Sequence, residues 1–215
     1  MNAFSIVADF EKRVAEYAGS KYGVATDCCT MALFLCLKYC QHAGLNPKEV
    51  DIPARTYASV PMAAIHAGFK VRFVDRMWVG RYELEPLPIV DGAKRFRRGM
   101  YEGGLHCLSF HAKKILAIGR GGMILTDDEQ AVKWLRKARY DGREGKPYPE
   151  EQIDMLGWHC YMTPEQAARG MLLMDILPEN PQDHLEDYPD LRTMPVFRGM
   201  DGSARQGFGS LKAAS

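Results

Sequence analysis

Two adjacent lysines, Lys113 and Lys114, lie within the stretch Ser109-Phe110-His111-Ala112-Lys113-Lys114-Ile115-Leu116-Ala117-Ile118-Gly119-Arg120-Gly121-Gly122. A short apolar run, 105–108, precedes it, and a second, 123–125, follows it and ends in Thr126-Asp127-Asp128. The pattern predicts a strand, a turn carrying two lysines, a glycine-rich bend and a second strand. A lysine at the end of a buried strand loses solvation, which disfavours its charged form and frees the amine as a nucleophile. Schiff-base chemistry with an aldehyde cofactor is the main use for such an amine. Taken alone, the same residues also fit a surface loop with two solvated lysines.

Two further groups carry chemistry. Residues 22–26 read as a short strand, and Asp27-Cys28-Cys29-Thr30 follow it directly before a helical pattern that runs to His42. A strand, a polar turn and a helix start together outline an anion site. The first helical amides are unpaired, the helix dipole favours negative charge, and Thr30 adds a hydroxyl. Plain capping of the helix by Asp27 is the alternative. Asp91 closes the apolar run 87–90, at the strand edge where α/β sheets bind ligands; it too could instead cap whatever follows. Lys94-Arg95-Phe96-Arg97-Arg98 form a local basic cluster, read either as a phosphate-binding patch or as a solvated loop.

The elements that must position these groups alternate along the chain. Phe4, Val7, Phe10, Val14 and Tyr17 fall at helical spacing over 3–17, and Gly19 stops that helix. Strands are predicted at 49–52 and 71–74, with a small-residue helix at 58–66 between them. Residues 76–88, with two prolines, form an irregular connection. Amphipathic helices are predicted at 129–140 and from Thr163, with Pro164 in its first turn, to Leu177. Alternating strands and helices over 1–177 imply an α/β domain, a mostly parallel sheet covered by helices. Prolines and glycines beyond Pro178 predict an extended tail over 178–215 instead of a second domain.

At 215 residues, 47% hydrophobic and 26% charged, the chain can bury a substantial core. A net charge of +1 gives no global attraction for nucleic acid or acidic membrane. No apolar run reaches the length of a membrane span, and the first ten residues lack the pattern of a secretion signal, so a cytoplasmic chain is expected. The six cysteines show no disulfide framework and no metal-ligand spacing, which predicts buried reduced thiols and no metal.

Taken in order, these pieces resemble the PLP-dependent sugar aminotransferases of the DegT/StrS-like family, in the fold type I (aspartate aminotransferase) superfamily. The lysine of that family's Ser-Phe-x-x-x-Lys motif falls on Lys114. Its Gly-Glu-Gly-Gly stands here as Gly119-Arg120-Gly121-Gly122, and its Ser-Gly-Thr turn as Cys28-Cys29-Thr30. Pro53-Ala54-Arg55-Thr56-Tyr57 matches Pro-x-x-Thr-aromatic, and Asp91-Gly92-Ala93-Lys94 matches Asp-Ala-Ala-Gln/His. Gly157-Trp158-His159-Cys160-Tyr161-Met162, with Gln166-Ala167-Ala168, matches the Gly-x-Asn-x-Arg-Met segment and its following Gln-Ala-Ala.

The resemblance implies a PLP-transferase-like large domain that lacks the usual C-terminal small domain. It implies pyridoxal 5'-phosphate (PLP) bound by Lys114, with Asp91 on the pyridinium nitrogen and Tyr57 stacked on the ring. Cys28, Cys29, Thr30 and Ser109 would hold the phosphate, and His159, at the family's asparagine, would reach the phosphate of a neighbouring subunit in a homodimer. The implied activity is transfer of an amino group from an amino acid, glutamate or glutamine, to a keto-sugar, generally nucleotide-linked. The alternative is a degenerate PLP-fold protein that binds a sugar nucleotide or a protein partner without turnover.

Overall fold

A computed structural model describes residues 4–185 and 187–198. Helix α1 (Ser5–Ala18) turns Val7, Phe10, Val14 and Ala18 inward at helical spacing. It ends where Gly19, at φ 91°, adopts the left-handed conformation that glycine accepts without a Cβ clash. The chain continues through β1 (Tyr22–Thr26), α2 (Cys29–His42), β2 (Glu49–Pro53), α3 (Ser59–Ala67), β3 (Lys70–Val74) and the two-residue β4 (Tyr82–Glu83). Strands β5 (Ile89–Asp91), β6 (Leu105–Ser109) and β7 (Gly122–Thr126) follow, then α4 (Glu129–Ala138) and α5 (Pro164–Asp175). Thr163 and Gln166 close a reciprocal capping box at the start of α5, with Pro164 in the first turn.

Five strands form one sheet in the order β1-β7-β6-β5-β4, while β2 and β3 form a separate parallel pair. The α/β class expected from the sequence holds, but the five-stranded sheet is not mostly parallel: three of its four pairings are antiparallel. Strands β5 and β6 are parallel; β7 runs against both of its neighbours, β1 and β6, and β4 runs against β5. The common direction is therefore shared by β1, β5 and β6, and the reversed β7 between them gives antiparallel pairing on both sides. Cys107 and Ile124 point into a core shared with α2, α3 and α4, whereas Leu108, Met123 and Leu125 point into a second core under α1 and α5. Burial on both faces explains why these strands read as apolar runs and not as alternating ones.

Two segments without long regular structure complete the fold. Between β3 and β5 the connection crosses the gap between the two sheets, where the amide of Asp51 on β2 donates to the carbonyl of Glu85 at 2.8 Å. Residues 178–198 run back over the molecule. Arg95 pairs with Asp183 at 2.6 Å, the amide of Leu191 donates to the carbonyl of Ala54 at 2.8 Å, and Phe197 packs edge-on against Phe73. Tyr188, Leu191 and Phe197 are buried, and among the described residues there the only helical pieces are single 3₁₀ turns at Leu191–Thr193 and Pro195–Phe197. The described part of the predicted tail is thus irregular but packed; the glycines from 199 onward lie outside the described residues. All six cysteines are free thiols, and among the described residues no helix is long and apolar enough to cross a membrane.

Candidate active site

The carboxyl ends of β5 and β6, the start of α2 and the lysine turn enclose a cavity of about 290 Å³. Lys114, Asp91, Tyr57, Cys28, Cys29, Thr30 and Ser109 all line it, so seven of the eight side chains picked out in the sequence converge on one space.

The lysine turn is closed by its own backbone. Phe110 and Gly121 are joined by an amide-to-carbonyl bond of 2.9 Å, Ala112 donates to Gly119 at 3.0 Å, and Lys114 donates to His111 at 2.8 Å. Lys114 therefore stands in a tight turn beyond the end of β6, half-buried, and not on the strand end itself; Lys113 beside it is exposed. The sequence placed the lysine at a buried strand terminus. The strand ends at Ser109 because Phe110, fully buried, anchors the chain before it bends.

At the start of α2, Cys28 is the capping residue in extended conformation and provides no side-chain cap. Asp27, the alternative cap, is committed elsewhere: its carboxylate accepts from Arg120 at 2.6 Å and its amide donates to the carbonyl of Cys160 at 2.8 Å. The arginine that replaces the family's glutamate thus ties the lysine turn to the helix start. Gly122 permits the two to touch, since a Cβ there would lie 2.6 Å from both the carbonyl oxygen of Cys28 and the amide of Cys29. The Thr30 hydroxyl lies 2.8 Å from that of Ser59, the first residue of α3, so two hydroxyls face the cavity beside the helix start. Burial pushes the Cys28 thiol up and the Cys29 thiol well up, which leaves both as neutral groups here.

Asp91 is only 5% exposed. Its carboxylate accepts the Tyr82 phenol at 2.8 Å and the Ala93 amide at 2.9 Å. No helix follows, so capping is not its role. Burial pushes its carboxyl up, opposed by the Ala93 amide, the Tyr82 phenol and the ammonium groups of Lys114 and Lys94. Lys94 belongs to the run read as a basic patch, yet it is 6% exposed, lines the cavity and lies beside Lys114. Burial first, and Lys114 second, bring its ammonium down to about 8.

One wall is aromatic. Tyr57 is 63% exposed and meets Tyr188 edge-on at 6.4 Å, and Trp78 stacks on the other side of Tyr188 at 6.1 Å. The Lys94 ammonium lies 5.4 Å from the centre of the Tyr188 ring. Ser59, Trp78 and Tyr188 went unnoticed in the sequence as site residues, and Lys94 was read only as part of a basic run and of the Asp91-Gly92-Ala93-Lys94 segment. His159 does not join the cavity: it is exposed and its Nδ1 lies 2.8 Å from the Asp141 carboxylate.

An α/β layer thus brings a lysine, a buried carboxylate and a helix start to one sheet edge. The DegT/DnrJ/EryC1/StrS aminotransferase family matches residues 2–80 and 97–192, and the chain belongs to that family. The break in that match, 81–96, holds Tyr82, Asp91 and Lys94. The chain is 27% identical to GDP-perosamine synthase of Caulobacter vibrioides over 218 residues, covering 81% of this chain and 57% of the relative. It is also 27% identical to the spore coat polysaccharide biosynthesis protein SpsC of Bacillus subtilis, covering 77% and 55%. Among solved structures, the sugar aminotransferase CalS13 of Micromonospora echinospora superposes with a TM-score of 0.69 at 20% identity, covering 80% of this chain and 60% of that one. The chain therefore spans a little over half the length of the curated relatives it matches.

Proposed function

We propose that this chain is a PLP-dependent aminotransferase that moves an amino group from glutamate or glutamine to a keto-sugar carried on a nucleotide. The observation that carries this reading is that Lys114 and the buried Asp91 line one cavity with the uncapped start of α2. The residues present suit PLP: a primary amine for its aldehyde, a carboxylate for its ring nitrogen, and a helix start with two hydroxyls for its phosphate. When bound, PLP supplies an electron sink that stabilises negative charge at the substrate carbon. Lys114 offers the amine that holds the aldehyde, and its Nζ carries a proton to and from the reacting carbon. Asp91, as a carboxylate, holds a proton on the ring nitrogen. Tyr57 covers a ring face, and Cys28, Cys29, Thr30 and Ser109 orient the phosphate through amides and hydroxyls.

Matched relatives with names such as GDP-perosamine synthase and UDP-4-amino-4,6-dideoxy-N-acetyl-beta-L-altrosamine transaminase, the latter from Campylobacter jejuni, support a nucleotide-linked sugar as acceptor. On this reading residues 1–177 form the cofactor-binding unit, with Tyr188 of the following segment completing its wall, the protein works in the cytoplasm as a homodimer, and the exposed His159 serves the phosphate site of the neighbouring subunit. The test is a visible spectrum of the protein with PLP before and after glutamate. Borohydride should attach the cofactor to Lys114, as read by mass spectrometry, and glutamate should abolish the absorbance that borohydride traps. Lys114→Ala should lose both, with amino transfer reduced at least about a thousandfold, the scale on which an essential nucleophile acts. Unchanged behaviour of Lys114→Ala would end the assignment. The departure at Arg120 favours a second reading, binding of a sugar nucleotide without turnover; calorimetry showing nucleotide uptake with no PLP uptake would select it.

A further inference from the structure

Asp91 is a costly group to bury. It faces Cys29 from α2, Cys107 from β6, Tyr82 from β4, Lys94 and Lys114 from the flanking turns and Tyr188 from the C-terminal segment. A carboxylate in such surroundings stays charged and keeps one orientation only if hydrogen bonds replace the lost water.

Those bonds form a directed chain. Tyr82 has a single phenolic proton, which an ionised carboxylate, having none of its own, must receive. The Tyr82–Asp91 distance is 2.8 Å, and the Thr56 hydroxyl lies 2.7 Å behind the Tyr82 oxygen. With the phenolic proton already given to Asp91, Thr56 must donate to Tyr82. Every proton in the series points toward Asp91, so each bond polarises the next in favour of the carboxylate. The backbone delivers this arrangement: in the antiparallel pairing of β4 with β5, Tyr82 stands directly opposite Asp91. The Tyr82 ring is buried and packs on Trp78 at 4.8 Å. The short strand that carries it falls in the stretch 81–96, where the family match breaks.

We propose that Tyr82, supported by Thr56, is a positioning residue that fixes the orientation of the Asp91 carboxylate and keeps it ionised. Asp91 carries out its role in the cavity through this support, and the two-residue β4 delivers Tyr82 to it. The inference deepens the PLP reading above but concerns a titration that the full chain shows without cofactor.

The experiment follows the Asp91 carboxyl by infrared spectroscopy of protein labelled with carbon-13 at aspartate, with Asp91→Asn identifying the band. Tyr82→Phe keeps the ring and removes the donor; Thr56→Val keeps the shape and removes the second donor. Tyr82→Phe should raise the Asp91 midpoint by about one pH unit, and Thr56→Val should raise it by less in the same direction. As pH is lowered, PLP affinity should begin to fall at a higher pH in Tyr82→Phe than in the parent protein, in step with the Asp91 midpoint. Unmoved midpoints in both variants, with only a lowered Tm, would overturn the proposal; if Tyr82→Phe does not fold, Thr56→Val decides alone. Midpoints that move in a protein that takes up no PLP would uphold the positioning role and remove the cofactor reading instead.

Discussion

Asp91 and Lys114 face each other across one cavity, yet the ground beneath them is built by different means. Asp91 is buried on a strand, with each carboxylate oxygen hydrogen-bonded and a second layer, Tyr82 and Thr56, behind it. Lys114 sits in a turn held by backbone bonds, half-buried, with exposed Lys113, His111 and Arg120 around it. On the proposed reading, the rigid half of the site belongs to the group that must keep a fixed charge, and the open half to the group that must change partners. The two halves also differ in how they align: the lysine turn lies within the family match, and Tyr82 and Asp91 lie in its gap.

Substitutions can break that contrast. On the rigid side, Asp91→Ala removes the acceptor of the Ala93 amide, one of the two hydrogen-bond partners of the Tyr82 phenol and a negative charge that raises the Lys94 ammonium. A loss of about 2–4 kcal/mol in urea denaturation is expected. Where the halves meet, Gly122→Ala pushes a methyl group into the backbone of Cys28 and Cys29, with a cost of about 1–3 kcal/mol and weaker phosphate binding by the apoprotein, measurable by calorimetry.

Lys94 sharpens the contrast through pH. Its ammonium is held down to about 8 in the folded chain, below the ordinary lysine range that applies when unfolded. Between those values the unfolded chain binds more protons, so this group makes stability rise with pH above about 8. Lys94→Met should flatten that rise in denaturation curves taken from pH 7 to 10. Smallest is Arg120→Ala: the arginine side chain is 66% exposed, and loss of its pair with Asp27 should change stability by no more than about 0.5 kcal/mol.

Much of this molecule was legible from residue patterns. Strands 22–26 and 105–108 and the helices ended by Gly19 and His42 follow from apolar periodicity and terminators, and they carry Thr30, Ser109 and the lysine turn to their places. The lysine's surroundings were less legible. Lys94 looked like one member of a solvated basic run because sequence shows charge and not burial, and here two neighbours in that run, Arg97 and Arg98, are indeed exposed. Tyr82 lies just before two prolines, Pro86 and Pro88, in a strand too short to show any period, and its partner Thr56 is 26 positions away. Tyr188 sits in a proline-rich stretch whose composition suggests little packing, although the apolar residues Tyr188, Leu191 and Phe197 recur there and were the available signal. Such contacts depend on long-range closure, which local propensity does not encode.

The returning C-terminal segment bears on how the molecule can be handled. Arg55 donates to the carbonyl of Tyr188 at 3.2 Å, Arg192 grips Asp75 at 2.7 Å, and Phe197 seals Phe73. Shortening the protein at Leu177, where composition would invite the cut, strips the aromatic wall from the pocket and bares β3. A boundary that keeps both the aromatic wall and the cover on Phe73 lies beyond Phe197.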